Sequence, residues 1–469
     1  MKNYNKKFFF ASIIIILWAI LTHYFIQIFT SIILLNILIL YFWQEKKPPV
    51  ILGALTFQWL SVSIGFYYLA LSNKTPEILL ARPLYSIDNL NKAFFLGTIA
   101  IFSLATGIKL AITNLKFDKL SDDQIKKFSY NKLVIAYLFF DFVVPFLFKK
   151  TRSGALAGLS QAITILSLFR WSLLFIIIYL TKEKKQYRLK TAILILFDIS
   201  LGFTGYFSNF KDYILFLILA YLCINKLKTK QFFFALIIGI FTLILGSFWS
   251  YFKGEYRQFL SGGEQAQVVT VSKTSALSKL FSYIPQFNKD KFEIGTETLV
   301  KRIFYLEFFS ATIKNIPKYD PYMNGKNWNQ AILHVLMPRF FFPNKPAIDD
   351  SKHTFALTRI KVANASKGTS ISVGYAADSY ADFGPFFMFL PIFIFGFMLG
   401  LYYKFLVTHS PGIWSYAFIF PIFFLINFFE RDIIKIIGDT FWFFIVFWFL
   451  NKFIPTIEKI LKSKNYANN

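Results

Sequence analysis

Asp378 and Asp382 stand four residues apart in Tyr375-Ala376-Ala377-Asp378-Ser379-Tyr380-Ala381-Asp382. That spacing puts Tyr375 and both carboxylates on one face if the segment is helical. A carboxylate held there could take a proton from an attacking hydroxyl. Two of them repel each other mildly, which is tolerable beside cations, so either could equally pair with Arg302, Arg339 or Arg359. Cations are plentiful in the same stretch: Lys253, Arg257, Lys301, Arg302, Arg339, Lys345, Lys352, Arg359, Lys361 and Lys367. Arginine suits a diphosphate in particular, because its planar fork gives two parallel hydrogen bonds and keeps its charge near a low-dielectric surface. Solvated loop charges are the plainer alternative for any one lysine.

The segment Pro338-Arg339-Phe340-Phe341-Phe342-Pro343-Asn344-Lys345-Pro346 cannot continue a helix, and its three phenylalanines seek burial in protein or at a bilayer surface. It is expected to pin Arg339 and Lys345 at an interface. Lys211-Asp212 opens a later apolar run, where Asp212 can cap a helix N-terminus and Lys211 can meet a phosphate. His334 and His353 are too far apart in sequence, and too lacking in nearby ligand pairs, to suggest a metal site. H-E-x-x-H, P-loop, dinucleotide and G-x-S-x-G patterns are absent. No cofactor is therefore expected.

These groups need a mounting, and the composition says what it is. Of 469 residues, 56% are hydrophobic and only 16% charged, against about 25% charged in ordinary soluble domains. Apolar runs of about 17–24 residues separated by basic clusters mark a polytopic, all-α membrane protein. A net charge of +26 would suggest nucleic acid in a soluble protein. Here much of the excess lies in short loops between apolar runs, so it reads as topology, with no nucleic-acid partner. Cys223 is the only cysteine, which excludes an internal disulfide and a cysteine metal site.

The expected order is about twelve spans with both termini cytoplasmic. Phe8 to Trp43 divides into two near Thr22-His23, and the next spans cover 50–72, 93–113, 133–148, 156–180, 191–207, 212–225 and 231–251. Three closing spans follow at 384–403, 413–429 and 433–450. Residues 1–251 thus form the N-terminal membrane part, 252–383 one large extracytoplasmic loop, and 384–469 the closing spans and tail. The basic N-terminus followed by apolar residues reads as a retained helix, because no A-x-A-like site follows it. Asp141, Arg170 and Asp198 fall near mid-span on consecutive helices, where unpaired charge is costly, so Arg170 is expected to pair with one or both carboxylates.

The Pro-Arg-aromatic-Pro-x-Lys-Pro segment at 338–346, the Ser-x-Gly and Tyr-x-Asp-Phe-Gly pattern leading to the next span, Tyr256-Arg257 and Val300-Lys301-Arg302-Ile303 resemble bacterial O-antigen and capsular repeat-unit polymerases. The resemblance implies a metal-independent, inverting glycosyltransferase of C-type-like architecture in the bacterial inner membrane. Such an enzyme transfers a growing glycan from undecaprenyl diphosphate to a lipid-linked repeat unit on the outer leaflet, and works beside a chain-length regulator and a flippase. By the resemblance, Arg302 and Arg339 bind the diphosphate, supported by Arg257 and Arg359, and Asp378 takes a place where many members carry glutamate. An O-antigen ligase shares topology and donor. A lipid-linked oligosaccharide flippase is the rival from another class, although a loop of about 130 residues and charges gathered there count against it.

Overall fold

The computed structural model describes residues 2–79, 87–118, 120, 122–151, 159–206, 209–226, 229–264, 267–337, 342, 345, 348–361 and 370–463. Arg339 and most of the 338–346 segment, like Lys367, lie outside the described residues. Among those described, the chain is helical with no β-sheet, apart from one isolated antiparallel bridge between Phe128 and Lys462.

Among the described residues eight helices are long and apolar enough to cross a membrane: Phe25–Phe42, Val50–Ser72, Ile87–Ala111, Tyr130–Leu147, Ser160–Glu183, Ile237–Leu260, Phe389–His409 and Ile433–Lys452. The other expected spans form shorter helices. Phe8–Ala19, Arg188–Thr204 and Phe210–Ile224 are continuous, whereas Trp414–Ile426 is broken into Trp414–Ala417 and Ile422–Ile426. Pro421 accounts for that break, because it lacks an N–H and disfavours helical backbone at Phe420. The helix Thr229–Leu260 continues past Tyr251, where the loop was expected to begin.

Span Phe389–His409 lies along Ile87–Ala111 at a glycine crossing. A Cβ on Gly396 would come 2.4 Å from the Leu104 carbonyl oxygen, and one on Gly107 would come 2.3 Å from that of Phe393. Such backbone-to-backbone contact is how helices associate where lipid removes the hydrophobic drive. The loop, in turn, sinks into the bundle. The Tyr305 N–H donates to the Ser61 carbonyl at 2.9 Å, at a level roughly 16 Å along the helix from Ser72. Phe304 occupies the space over Gly65, where a Cβ would lie 2.7 Å from its ring, and packs edge-on to Phe66.

Arg170 pairs with Asp141 at 2.6 Å, and the Tyr213 hydroxyl donates to the same carboxylate. Asp141 sits on a π-helical turn, Phe139–Val143, which re-aims side chains relative to an α-helix. Asp198 instead accepts from the Tyr137 hydroxyl at 2.7 Å. Arg170 and Asp141 thus form an ion pair, with the tyrosine-bonded carboxyl of Asp198 on the neighbouring helix.

Candidate functional site

The helix Tyr375–Phe387 begins at Gly374, whose φ of +93° and position against the Phe429 carbonyl leave no room for a side chain. Its first residue is fixed by a buried chain in which the Tyr375 hydroxyl donates to Gln58 Oε1 and Gln58 Nε2 donates to the Ile426 carbonyl, each at 2.6 Å. The Tyr305 hydroxyl holds the preceding strand of loop by donating to the Ser372 carbonyl. Three elements are thereby locked around Asp378.

The Asp378 carboxylate is fully buried and engaged at both oxygens. Oδ1 lies 2.6 Å from His353 Nε2, and Oδ2 accepts from the Ile433 N–H at 3.0 Å. His353 comes from the short helix Asp350–Thr358, whose N-terminus is capped by Asp349. Asp432 caps the span Ile433–Lys452 through the Lys435 N–H. Lys435 Nζ returns to Asp350, which also accepts from Ser370. His353, Asp378, Asp349, Asp350, Asp432 and Lys345 share one cavity of about 450 Å³ at this end of the bundle, a volume within the range of small-molecule sites.

Electrostatics divides the acids. Burial, then the carboxylates of Asp378 and Asp350, push Asp432 up to about 7 against the pull of Lys435. Burial works against charge on Asp350 too, yet its bonds to Lys435 and Ser370 hold it below its ordinary value. Burial also disfavours charge on His353, but Asp378, with Asp432 and Asp350 behind it, outweighs this and raises the imidazole to about 9. At neutral pH the cavity therefore presents an imidazolium beside a carboxyl poised to gain or lose a proton.

Asp382 has a different place from Asp378. Its oxygens accept from the Asn327 and Trp328 N–H groups, each at 3.0 Å, and so it caps the helix Lys326–Leu336 from outside that helix. Burial raises its pKa against those two bonds. The i, i+4 pair thus separates into one carboxylate in the cavity and one that is architectural.

The expected cations also part company. Lys253 lies within electrostatic reach of Arg302, Arg257 and Lys211; Lys253 and Arg257 share the helix Thr229–Leu260, Lys211 comes from Phe210–Ile224 and Arg302 from Lys289–Ile303. Arg302 forks onto Glu430 at 2.9 and 3.3 Å, Arg257 Nε donates to the Tyr206 carbonyl at 3.1 Å, and Lys211 lies 6.0 Å from the Phe428 ring. Arg302 is paired with Glu430, two residues before the cavity-lining Asp432, so the cationic group and the acid cavity meet at the turn 427–432. Lys345 lines the cavity and donates to the carbonyls of His334 and Met337. Arg359 stands apart, paired with Asp320 at 3.1 Å.

Sequence reasoning passed over His353, Asp350, Asp432 and Lys435. His353 was set aside for want of a neighbouring ligand, and its partner comes from a different helix. Glu430 and Asp432 are two residues apart, and only folding turns Asp432 toward Asp378 and Glu430 toward Arg302. Among the described residues no group of three or more His, Cys, Asp or Glu is placed to hold a metal ion.

The family model described as a domain of unknown function, DUF8712, matches residues 49–463. No curated protein and no solved structure matches the chain.

Proposed function

We propose that this chain, which belongs to the DUF8712 family, is a membrane glycosyltransferase that polymerises lipid-linked oligosaccharide repeat units. The observation that carries the reading is the meeting, at one end of an apolar helical bundle, of an acid–imidazole cavity and a four-cation cluster. In this reading the diphosphate of an undecaprenyl-linked donor lies against Lys211, Lys253, Arg257 and Arg302, with Arg339 assigned there by resemblance. The acceptor sugar of a second lipid-linked unit enters the cavity.

The donor's anomeric carbon–oxygen bond to the diphosphate breaks as the acceptor hydroxyl oxygen bonds to that carbon from the opposite face. The hydroxyl proton passes to the Asp432 carboxylate, whose pKa near 7 suits it to accept and release a proton. Charge developing on the departing diphosphate is stabilised by the cations, which are already in place. Asp378 orients His353 and keeps it charged, so that the imidazolium can donate to an oxygen of the substrate. The four shorter apolar helices complete about twelve spans of C-type-like architecture, with both termini cytoplasmic and the loop facing outward from a bacterial inner membrane.

Purified protein in lipid, given synthetic undecaprenyl-diphosphate repeat units without nucleotide or added metal, tests this. A product ladder lost in Asp378→Asn and kept in Asp382→Asn is the expected result. A ladder unaffected by Asp378→Asn in a folded variant would overturn the catalytic assignment, and transbilayer movement of the lipid without a ladder would turn the reading to a flippase.

A further inference from the structure

The helix Lys326–Leu336 changes character along its length. Its exposed residues are polar in the first half, Lys326, Asn329 and Gln330, and apolar in the second, Ile332, Leu333 and Leu336. Leu336 is 61% and Leu333 49% exposed. The buried face explains where this apolar end lies. Val335 packs beside Gly438, 3.6 Å from where a Cβ on that glycine would stand. Gly438 lies roughly 9 Å along the span from its N-cap Asp432. The polar end is tied to the Asp378 helix through Asp382 and through Trp328 Nε1, which donates to Ser379 at 2.9 Å. The helix therefore runs alongside the candidate span Ile433–Lys452, with its apolar end level with the second turn of that span.

That apolar end is continuous with the site. Leu333, Met337 and Ile348, with Ile433 and Ile434 of the span, line the acid cavity together with His353, Asp378 and Asp432. A cavity lined by both ionic and apolar side chains, and continuous through Leu333 with the exposed apolar end of the helix, fits an amphipathic ligand whose head enters while its tail stays outside.

We propose that the face formed by the C-terminal half of Lys326–Leu336 and the first turns of Ile433–Lys452 is the lateral doorway through which a polyprenyl diphosphate lipid enters, its isoprenoid chain lying along Leu333 and Leu336. The choice of occupant rests on the function proposed above. The lateral opening rests on the geometry alone.

The test replaces Leu336, in one variant, and Phe386, in another, with the photo-crosslinking residue p-benzoylphenylalanine in the full chain. Phe386 is 84% exposed at the head of a different span and serves as a control for bulk lipid. Each variant is placed in nanodiscs containing a small fraction of radiolabelled undecaprenyl diphosphate. Capture of the labelled lipid several-fold higher from Leu336 than from Phe386, and competed by unlabelled undecaprenyl diphosphate but not by geranyl diphosphate, is expected. Equal capture at the two positions would mean contact with bulk lipid only and would overturn the doorway. In a parallel Cys223→Ser background, a nitroxide on Leu336→Cys that a water-soluble nickel chelate relaxes better than oxygen does would also overturn it. Preferential capture in a protein that makes no ladder would leave the doorway standing and sink the polymerase reading.

Discussion

Two groups of cations, one at each end of the helical bundle, are held in different ways. At the end that carries residues 44–49, 112–130 and 452–463, cations are absorbed into the structure. Lys47 bonds to the Tyr416 hydroxyl and the Phe117 carbonyl, Lys127 pairs with Glu458 at 2.6 Å, and Lys132 and Lys184 donate to the carbonyls of Lys462 and Lys126. At the loop end, Lys253 is surrounded by Arg302, Arg257 and Lys211, while Glu430 answers only Arg302 among them. The first arrangement is self-sufficient. The second is held together against its own repulsion, the mark of a place that awaits an anion.

The strongest way to break this contrast is at Asp378. Asp378→Asn should lower the polymerisation rate by roughly 10²–10⁴-fold in the ladder assay. It should also return His353 from about 9 toward its ordinary 6.5, as read by imidazole NMR. The sign for stability follows, because the charged imidazole is the favoured form in the fold. Its contribution is complete below about 6.5 and is lost as pH rises through about 9. The unfolding temperature of the wild type should therefore fall across that window, and that part of the fall should be missing from Asp378→Asn.

Next in size, Arg302→Ala should cost about 10²–10³-fold in rate with a modest change in unfolding temperature, since the Arg302 side chain is more than half exposed. A large loss of stability with unchanged turnover would make Arg302 a structural group like Lys127. At the opposite end, Glu458→Ala removes the partner of Lys127 and of the Trp414 indole N–H. It should destabilise the protein by roughly 1–3 kcal/mol and leave turnover per folded molecule intact. The smallest effect is expected from Asp382→Asn, roughly 0.3–1 kcal/mol of stability with the ladder retained. Loss of the ladder there, in folded protein, would dissolve the distinction between the two aspartates.

That distinction also measures what the sequence could reveal. Hydropathy located the helices, down to the break near Thr22-His23, because an apolar run leaves its mark on every residue it contains. Among the described residues eight of the expected spans are long and apolar enough to cross, and run length did not show where Pro421 splits a helix or where Phe210–Ile224 stops. The spacing of Asp378 and Asp382 correctly suggested a helix. One turn of that helix nonetheless meets His353 and the next meets the start of Lys326–Leu336, a division set by distant chain. His353 left no local trace at all, since a lone histidine acquires its chemistry only from the carboxylate that folding brings to it.

The hydrogen bonds from Tyr305 to Ser61 and from Tyr375 to Gln58 have a further consequence for anyone building chimeras. They mortise the loop into a helix more than 230 residues earlier in the chain, so residues 252–383 are not a portable cassette. A swap between relatives that exchanged this segment without its matching Val50–Ser72 helix would deliver the right side chains on a misaligned frame. Variation in the shape of the acid cavity within the family should therefore be inherited jointly by these two distant stretches of sequence.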